Sequence, residues 1–155
     1  ASGAGVIFGV TGGVTEAVVR RIAQDKTVAG LQQIAFTGVR GMAGLKEATI
    51  PYGEKEIKIA IVSGLGNADQ LIRKIKAGEV HYDLVEVMAC PGGCISGGGQ
   101  PFALKAAQTE RGKGLYRSDK LSQIKRSEEN PMIMALYNGL LKGKTKELLH
   151  VHYEK

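Results

Sequence analysis

A strand, a helix and a second strand follow one another in the middle of this 155-residue chain. In the segment Ile57–Val62, residues 57, 59 and 61 are isoleucines, and this alternation is typical of a strand with one buried face. Asn67 is a suitable N-cap for the following helix, and Gly78 suits the position just after its end. Asp83–Ala89 is again strand-like. Strands joined through a helix are parallel with a right-handed crossover, so the segment 57–89 predicts an α/β fold.

The rest of the chain adds helices to this unit. Val14–Ala23 has helical spacing, and we expect Thr11 to cap it. Ile34–Val39 is typical of one more strand. The chain after residue 100 is helical in pattern, at 102–111, at 119–126 behind Ser118, and at 131–142 between Asn130 and Gly143. We therefore predict one α/β domain over residues 1–155, with a mainly parallel sheet, flanking helices and a helical C-terminal third.

Glycine is concentrated in two windows. Of the 22 glycines, five lie in residues 3–13 and five in residues 92–99. No G-X-Y period is present and 43% of the chain is apolar, which excludes collagen and argues against overall disorder. The first window loosely imitates a dinucleotide-binding fingerprint, but no predicted strand precedes it. The other interpretation is a loop that passes close to a ligand and ends at the N-terminus of a helix.

The net charge of +6 is concentrated in the C-terminal third. Residues 1–100 carry 10 Lys and Arg against 9 Asp and Glu, whereas residues 101–155 carry 11 against 6. Such a face either attracts an acidic partner or is simply solvated. We expect no nucleic-acid partner, because only 5% of the residues are aromatic and no zinc-finger or RNP-like motif occurs. Neither an apolar run of ~20 residues nor a secretory signal is visible, so we expect a cytoplasmic protein with no membrane span.

Two cysteines, Cys90 and Cys94, follow the second strand at the sheet edge where α/β proteins gather ligands. Gly92 and Gly93 between them allow a tight turn close to a bulky group. Two thiols on one loop can bind a metal or an iron–sulfur cluster, although a cluster usually takes four cysteines and the histidines lack zinc-site spacing. Buried free thiols or a redox disulfide stay open on spacing alone. Met88 shares a strand face with Cys90. It is then either a residue of the site or an ordinary core methionine.

The segment around the cysteines carries a specific resemblance. Residues 88–101, Met-Ala-Cys-Pro-Gly-Gly-Cys-Ile-Ser-Gly-Gly-Gly-Gln-Pro, closely resemble the C-terminal cysteine signature of iron-only ([FeFe]) hydrogenases. Residues 3–17 resemble the glycine-rich segment of the same family. Further similar segments follow in the same order as in that family, at 115–120, 126–131 and 148–153.

This resemblance implies a cofactor and a set of site residues. The family's H-cluster is a cubane [4Fe–4S] cluster joined to a two-iron unit with CO, cyanide and a bridging dithiolate. By position, Cys90 would ligate the cubane and Cys94 would bridge the cubane and the two-iron unit. Met88 and Phe8 would line the pocket of the two-iron unit. Gly92 and Gly93 would let backbone N–H groups approach the cofactor, which tunes its potential.

The resemblance also implies a partner for this chain. In that family two further cluster cysteines, a proton-relay cysteine and a lysine that contacts cyanide come from signatures upstream of the glycine-rich segment. We therefore expect this chain to be the C-terminal lobe of a two-lobed hydrogenase domain. Its partner is then the remaining N-terminal part, the cofactor is complete only in the intact parent, and the chain alone is inactive. The basic third is a candidate docking face for ferredoxin or another iron–sulfur or flavin subunit, in a ferredoxin- or NAD(P)-linked enzyme.

Three other functions are compatible with parts of the sequence. Related cytosolic iron–sulfur assembly factors share the fold but resemble Cys-Pro-Ser-Gly-Cys, where this chain has Cys-Pro-Gly-Gly-Cys. A hydrogenase-like domain that senses H₂ rather than turning it over in bulk is a second alternative. A nucleotide-binding α/β domain is the third, and the lack of a predicted strand before Gly3 counts against it.

Overall fold

The structure is a computed structural model that describes residues 1–23, 44–102 and 104–151. Its helices and strands, in chain order, are α1 (Gly3–Val6), α2 (Gly13–Ile22), β1 (Leu45–Tyr52), β2 (Lys55–Ser63), α3 (Leu65–Lys76), β3 (Leu84–Met88), α4 (Lys105–Leu121), α5 (Pro131–Asn138) and α6 (Thr145–Leu149). Single turns of 3-10 helix cover Ile7–Gly9, Cys94–Ser96 and Ser127–Glu129. The strand predicted over Ile34–Val39 lies outside the described residues.

The predicted strand–helix–strand unit is confirmed. β2 and β3 pair in parallel, from Ile59 opposite Leu84 to Ser63 opposite Met88. Asn67 is not the N-cap of α3, because the helix already begins at Leu65, directly after Gly64. The Asn67 side chain instead donates from Nδ2 to the carbonyl of Ser63 at 2.7 Å. This bond lies at the carboxyl edge of the sheet, next to the candidate site.

The end of α3 is built as predicted. Gly78 has φ +73°, a left-handed conformation that glycine adopts without strain. Its N–H donates to the carbonyl of Ile75 at 3.1 Å, and the N–H of Glu79 donates to the carbonyl of Lys74 at 3.0 Å. This pair of bonds is a Schellman motif, which satisfies carbonyls that a helix end leaves open.

The sheet differs from the predicted one. In the described part of the chain it has three strands in the order β1-β2-β3, and β1 is antiparallel to β2. The expectation of a mainly parallel sheet is therefore wrong for these residues. The physical reason is a two-residue hairpin turn between Tyr52 and Lys55, in which Gly53 has φ +64°. Among the described strands β1 lies at the edge of the sheet, where a proline such as Pro51 is tolerated.

The central strand β2 is buried on both faces. Ile59 and Ile61 pack on one face with Val19 of α2, as the isoleucine spacing predicts. Ala60 and Val62 pack on the other face in a cluster that includes Ala68 and Leu71 of α3. The sheet thus lies between α2 and α3, an arrangement typical of α/β proteins.

In the C-terminal third, the structure has one long helix before residue 130, where two were predicted, and two shorter helices after it, where one was predicted. One helix, α4, replaces the two segments expected at 102–111 and 119–126, and Ser118 lies inside it. Gly112 does not break α4 but faces Ile95 and Val10, whose side chains lie 3.4 and 3.5 Å from the position of an added Cβ. Within the described ranges, no helix is long and apolar enough to cross a membrane.

The start of α5 is confirmed and its end is not. Asn130 accepts a hydrogen bond from the N–H of Met132 at 3.0 Å, and Pro131 occupies the first turn. The helix ends at Asn138 rather than at 142, because Gly139 leaves the helical conformation with φ −107° and ψ −102°.

A buried carboxylate of the sheet caps α2. Thr11 was expected to cap this helix, but Gly12 is the N-cap residue and has φ +90°. Glu86 of β3 accepts hydrogen bonds from the N–H groups of Gly12 at 2.7 Å and Thr15 at 2.6 Å. A negative charge is favourable at this end of a helix. Burial lowers the pKa of nearby Lys46 to about 8, while attraction to Glu86 favours its charged form.

We predict that Glu86→Gln destabilises the chain by about 1–3 kcal/mol, because the amide offers one oxygen to two buried N–H donors. Urea unfolding followed by circular dichroism measures this change. The matched control is Glu79→Gln, an exposed glutamate at the end of α3, which should stay within about 0.5 kcal/mol of the parent. Equal effects of the two substitutions would contradict a capping role for Glu86.

Candidate metal centre at the cysteine loop

The cysteine loop, residues 90–97, leaves the sheet at the carboxyl end of β3. Gly92 and Gly93 have φ +85° and +88°, so the loop reverses through two consecutive conformations that favour glycine. The N–H of Gly93 donates to the carbonyl of Cys90 at 2.9 Å and closes the turn. Both Cys90 and Cys94 are exposed free thiols. Free cysteines are ordinarily among the most buried residues, so a pair of exposed thiols on one turn favours a binding role.

Cys90 and Cys94 both lie close to Gly97 in space. A Cβ added to Gly97 would lie 3.1 Å from the sulfur of Cys90 and 3.6 Å from the Cα of Cys94. The N–H of Gly97 donates to the carbonyl of Cys94 at 3.2 Å, which holds this glycine against the turn. The sulfur of Cys90 therefore lies beside the 3-10 turn that carries Cys94, and the structure brings the two predicted ligands together.

The glycine-rich segment, residues 3–13, meets the cysteine loop at Gly93. A Cβ on Gly93 would lie 2.8 Å from the carbonyl oxygen of Gly9 and 2.9 Å from the nitrogen of Thr11. It would also lie 3.1 Å from the methyl group of Met88, which places this thioether beside the loop. The N–H of Thr11 donates to the carbonyl of Gly92 at 3.3 Å. The two glycine windows of the sequence are thus in direct contact.

Ser63, which the sequence analysis did not single out, connects the same parts. It is the last residue of β2 and is 2% exposed. Its hydroxyl accepts from the N–H of Gly92 at 2.7 Å and donates to the carbonyl of Cys90 at 3.4 Å. The hydroxyl of Thr11 donates to it at 3.5 Å. The available signal was positional: a small polar residue ends a buried strand at the edge where the cysteines also lie.

The N–H groups of Gly92 and Gly93 donate to acceptors of the protein itself, Ser63 Oγ and the Cys90 carbonyl. The prediction that these glycines contact a cofactor stays a prediction. In this arrangement they would act by letting the backbone come close and not by donating these two hydrogen bonds.

The side chain of Phe8 lines a groove of the described structure. Its side chain is 45% exposed and lines an apolar groove of about 490 Å³ between α2 and α5. The other apolar walls of this groove include Val14, Val18, Ile133 and Tyr137. A role of Phe8 beside a cofactor stays a prediction.

A buried ionic network supports the start of the glycine-rich segment. Arg20 of α2 donates to both carboxylate oxygens of Asp119 in α4, at 2.8 and 2.7 Å, and to Glu16 at 2.5 Å. Burial opposes the charge of Arg20, but the bonds to Asp119 and the attraction of Glu16 prevail and raise its pKa. A Cβ on Gly3 would lie only 2.0 Å from Asp119 Oδ1, so the segment fits tightly on this network.

The cysteine loop fits an iron–sulfur cofactor in the type of its ligands, and it supplies only part of their number. Thiolates are the ligands that hold such clusters, and a cubane takes four protein ligands. The chain has two cysteines in total. Within the described ranges, no group of three or more His, Cys, Asp and Glu side chains could hold a metal ion. The arrangement therefore suits a cofactor that another part of the protein also ligates.

The fold and the paired-cysteine loop are those of the iron hydrogenase class, as comparisons with known proteins show. Residues 1–98 match the family described as iron only hydrogenase large subunit, C-terminal domain, and residues 105–155 match that described as iron hydrogenase small subunit. This chain belongs to the iron-only hydrogenase family and corresponds to the C-terminal part of its catalytic domain.

Individual relatives agree with this membership. The chain is 42% identical to the NADP-reducing hydrogenase subunit HndD of Solidesulfovibrio fructosivorans, over 99% of this chain and 27% of the relative. It is 34% identical to cytosolic iron-sulfur assembly component 3 of Mus musculus, over 94% of this chain and 31% of the relative. Among solved structures, a variant of the [FeFe]-hydrogenase HydA1 from Chlamydomonas reinhardtii matches with a TM-score of 0.63 and 35% identity, over 94% of this chain and 45% of that chain.

We predict that Gly93→Ala destabilises the chain by about 1–3 kcal/mol, because it puts a side chain into a left-handed backbone conformation. The added methyl group would also push the glycine-rich segment away from the cysteine loop, since it meets backbone atoms of Gly9 and Thr11.

The control for Gly93→Ala is Gly98→Ala in the neighbouring stretch, where nothing lies within 4 Å of an added Cβ. Chemical denaturation of both variants is the measurement. The control should change stability by less than about 0.5 kcal/mol. A Gly93→Ala protein as stable as the control would show that the two segments do not depend on this close approach.

Proposed function

We propose that this chain contributes two thiolate ligands, from Cys90 and Cys94, to the H-cluster of an iron-only hydrogenase, which interconverts H₂ with protons and electrons. The observation that carries this proposal is the pair of exposed thiols on a two-glycine turn that packs on the glycine-rich segment. The chain covers 27% of the length of HndD, so the remaining ligands are proposed to come from another part of the protein.

The residues of this chain would act by holding and enclosing the cofactor. Cys90 would ligate the cubane, and Cys94 would be shared between the cubane and the two-iron unit. The thioether of Met88, which lies beside Gly93, would offer a soft and polarizable surface to the two-iron unit. The bound cofactor supplies the cleavage and formation of H₂, and the protein supplies its position and electrostatics.

A second candidate function is that of an iron–sulfur assembly factor, favoured by the 34% identity to cytosolic iron-sulfur assembly component 3. The same two thiols would then hold an ordinary cluster. Gly92 supports the hydrogenase proposal over this one. It has φ +85°, which a serine rarely adopts, and the assembly factors resemble Cys-Pro-Ser-Gly-Cys at this point. A sensory hydrogenase-like domain would share the site, and an upstream proton-relay cysteine, expected only in the catalytic case, would distinguish the two.

We predict that Cys94→Ser in the holoprotein that carries this chain removes the two-iron unit, because Cys94 is the proposed shared ligand. The cubane should be partially retained. Infrared bands of bound CO and cyanide report the two-iron unit, and iron analysis reports what remains. Ser122→Ala, at the end of α4 and outside the cysteine loop, should keep the bands unchanged. If the bands survive Cys94→Ser, the assignment of the shared ligand is wrong.

The basic C-terminal third supports a proposal about the electron donor. Some of its cations are used inside the fold: Arg111 donates to the carbonyls of Ile95 at 3.0 Å and Pro101 at 2.8 Å. Other cations are exposed, among them a group of three lysines around the start of α6, namely Lys142, Lys144 and Lys146. We propose that this lysine group attracts an acidic donor such as ferredoxin.

We predict that changing the three lysines to glutamate lowers kcat/KM for reduced ferredoxin roughly tenfold at low ionic strength, because it reverses the steering field. Turnover with reduced methyl viologen is the control and should not fall, since this cationic mediator needs no docking face and is not repelled by the glutamates. The difference between variant and parent should shrink as salt is added. An unchanged kcat/KM for reduced ferredoxin would refute the proposal that these lysines form the docking site.

A further inference from the structure

The hydroxyl group of Ser63 uses its full hydrogen-bonding capacity inside the fold. A serine hydroxyl has one donor and two acceptor positions. In Ser63 the acceptors receive the N–H of Gly92 at 2.7 Å and the hydroxyl of Thr11 at 3.5 Å, and the donor points to the carbonyl of Cys90 at 3.4 Å. The side chain is buried, and the residue is the last of the central strand β2.

These bonds join three separate segments at one atom. Ser63 belongs to the end of β2, Thr11 to the glycine-rich segment, and Cys90 and Gly92 to the cysteine loop. Gly92 is buried, so its N–H needs a protein acceptor, and Ser63 is that acceptor. Without the hydroxyl, the turn between the two cysteines loses its direct attachment to the sheet at this glycine.

We propose that Ser63 is a positioning residue that fixes the direction of the two thiols toward a shared metal group. The hydroxyl holds the backbone on both sides of Pro91, and the turn then sets where Cys90 and Cys94 point. The inference rests on the proposed function only for the assignment of these cysteines as metal ligands. It holds for a hydrogenase cofactor and for an ordinary cluster alike.

The test uses the 155-residue chain and Cd²⁺ as the probe, because soft thiolates bind this ion without assembly machinery. Absorbance of the thiolate-to-cadmium charge transfer gives the affinity and shows whether both thiols bind. Ser63→Ala should weaken binding roughly five- to tenfold, the factor that one net hydrogen bond contributes. Hydrogen exchange of the Gly92 amide should accelerate in the same variant by about tenfold or more.

Two substitutions of equal shape separate the hydroxyl from sterics. Ser63→Thr keeps the hydroxyl and Ser63→Val replaces it with a methyl group, so any crowding is common to both. We expect the threonine variant to bind Cd²⁺ several-fold more tightly than the valine variant. Equal affinities of these two variants would overturn the proposal.

Ile50→Val is the control for general loosening of the sheet. Ile50 is buried in the core of β1, on the side of Ile59 and Ile61, and its shortening should leave Cd²⁺ affinity unchanged. A loss as large as that of Ser63→Ala would mean that sheet stability, and not the hydroxyl, controls the thiols. Failure of the parent chain to bind Cd²⁺ through both thiols would instead show that the two thiols do not converge on one metal, which overturns the premise of this inference and is distinguishable from a failure at Ser63.

Discussion

Gly93 approaches the backbone of Gly9 and Thr11 so closely that no side chain fits between the cysteine loop and the glycine-rich segment. Two further contacts hold the cysteine loop and the glycine-rich segment in this close position. The buried carboxylate of Glu86 binds the end of the glycine-rich segment at the N-terminus of α2. The loop has to be attached to the sheet, and Ser63 provides that attachment. These contacts together attach the turn that carries the exposed thiols to the sheet and to the glycine-rich segment.

Charge is used in two different ways in this chain. Arg20 and its carboxylate partners are buried and connect α2 to α4, so breaking the pair would leave an uncompensated charge in the core. The lysines around α6 are exposed, and their energetic contribution to folding is small. Some basic residues of the C-terminal third therefore stabilise the fold, and others are exposed on the surface. Sequence counts alone do not separate the two, because they carry no information on long-range partners.

Local patterns predicted the parts of the fold that depend on neighbours in sequence. The isoleucine spacing of β2, the glycine after α3 and the Asn130-Pro131 start of α5 are of this kind. The antiparallel strand β1 was missed because its residue types do not follow its burial: the burial alternates, but Leu45 is exposed while Lys46 is partly buried. The roles of Ser63 and Glu86 were missed because each depends on partners tens of residues away. The cysteines were singled out as metal ligands through the family resemblance, because spacing alone left free thiols and a redox disulfide open.

The central claim is that this chain forms half of a site that cleaves H₂. Isotope exchange between H₂ and D₂O, catalysed by the holoprotein that carries this chain, tests it most directly, because the exchange needs no electron donor. The account predicts that HD and D₂ form from H₂ and that the exchange stops when Cys94 is replaced. A holoprotein that retains its iron–sulfur absorption but shows no exchange would contradict the account and favour cluster assembly as the function.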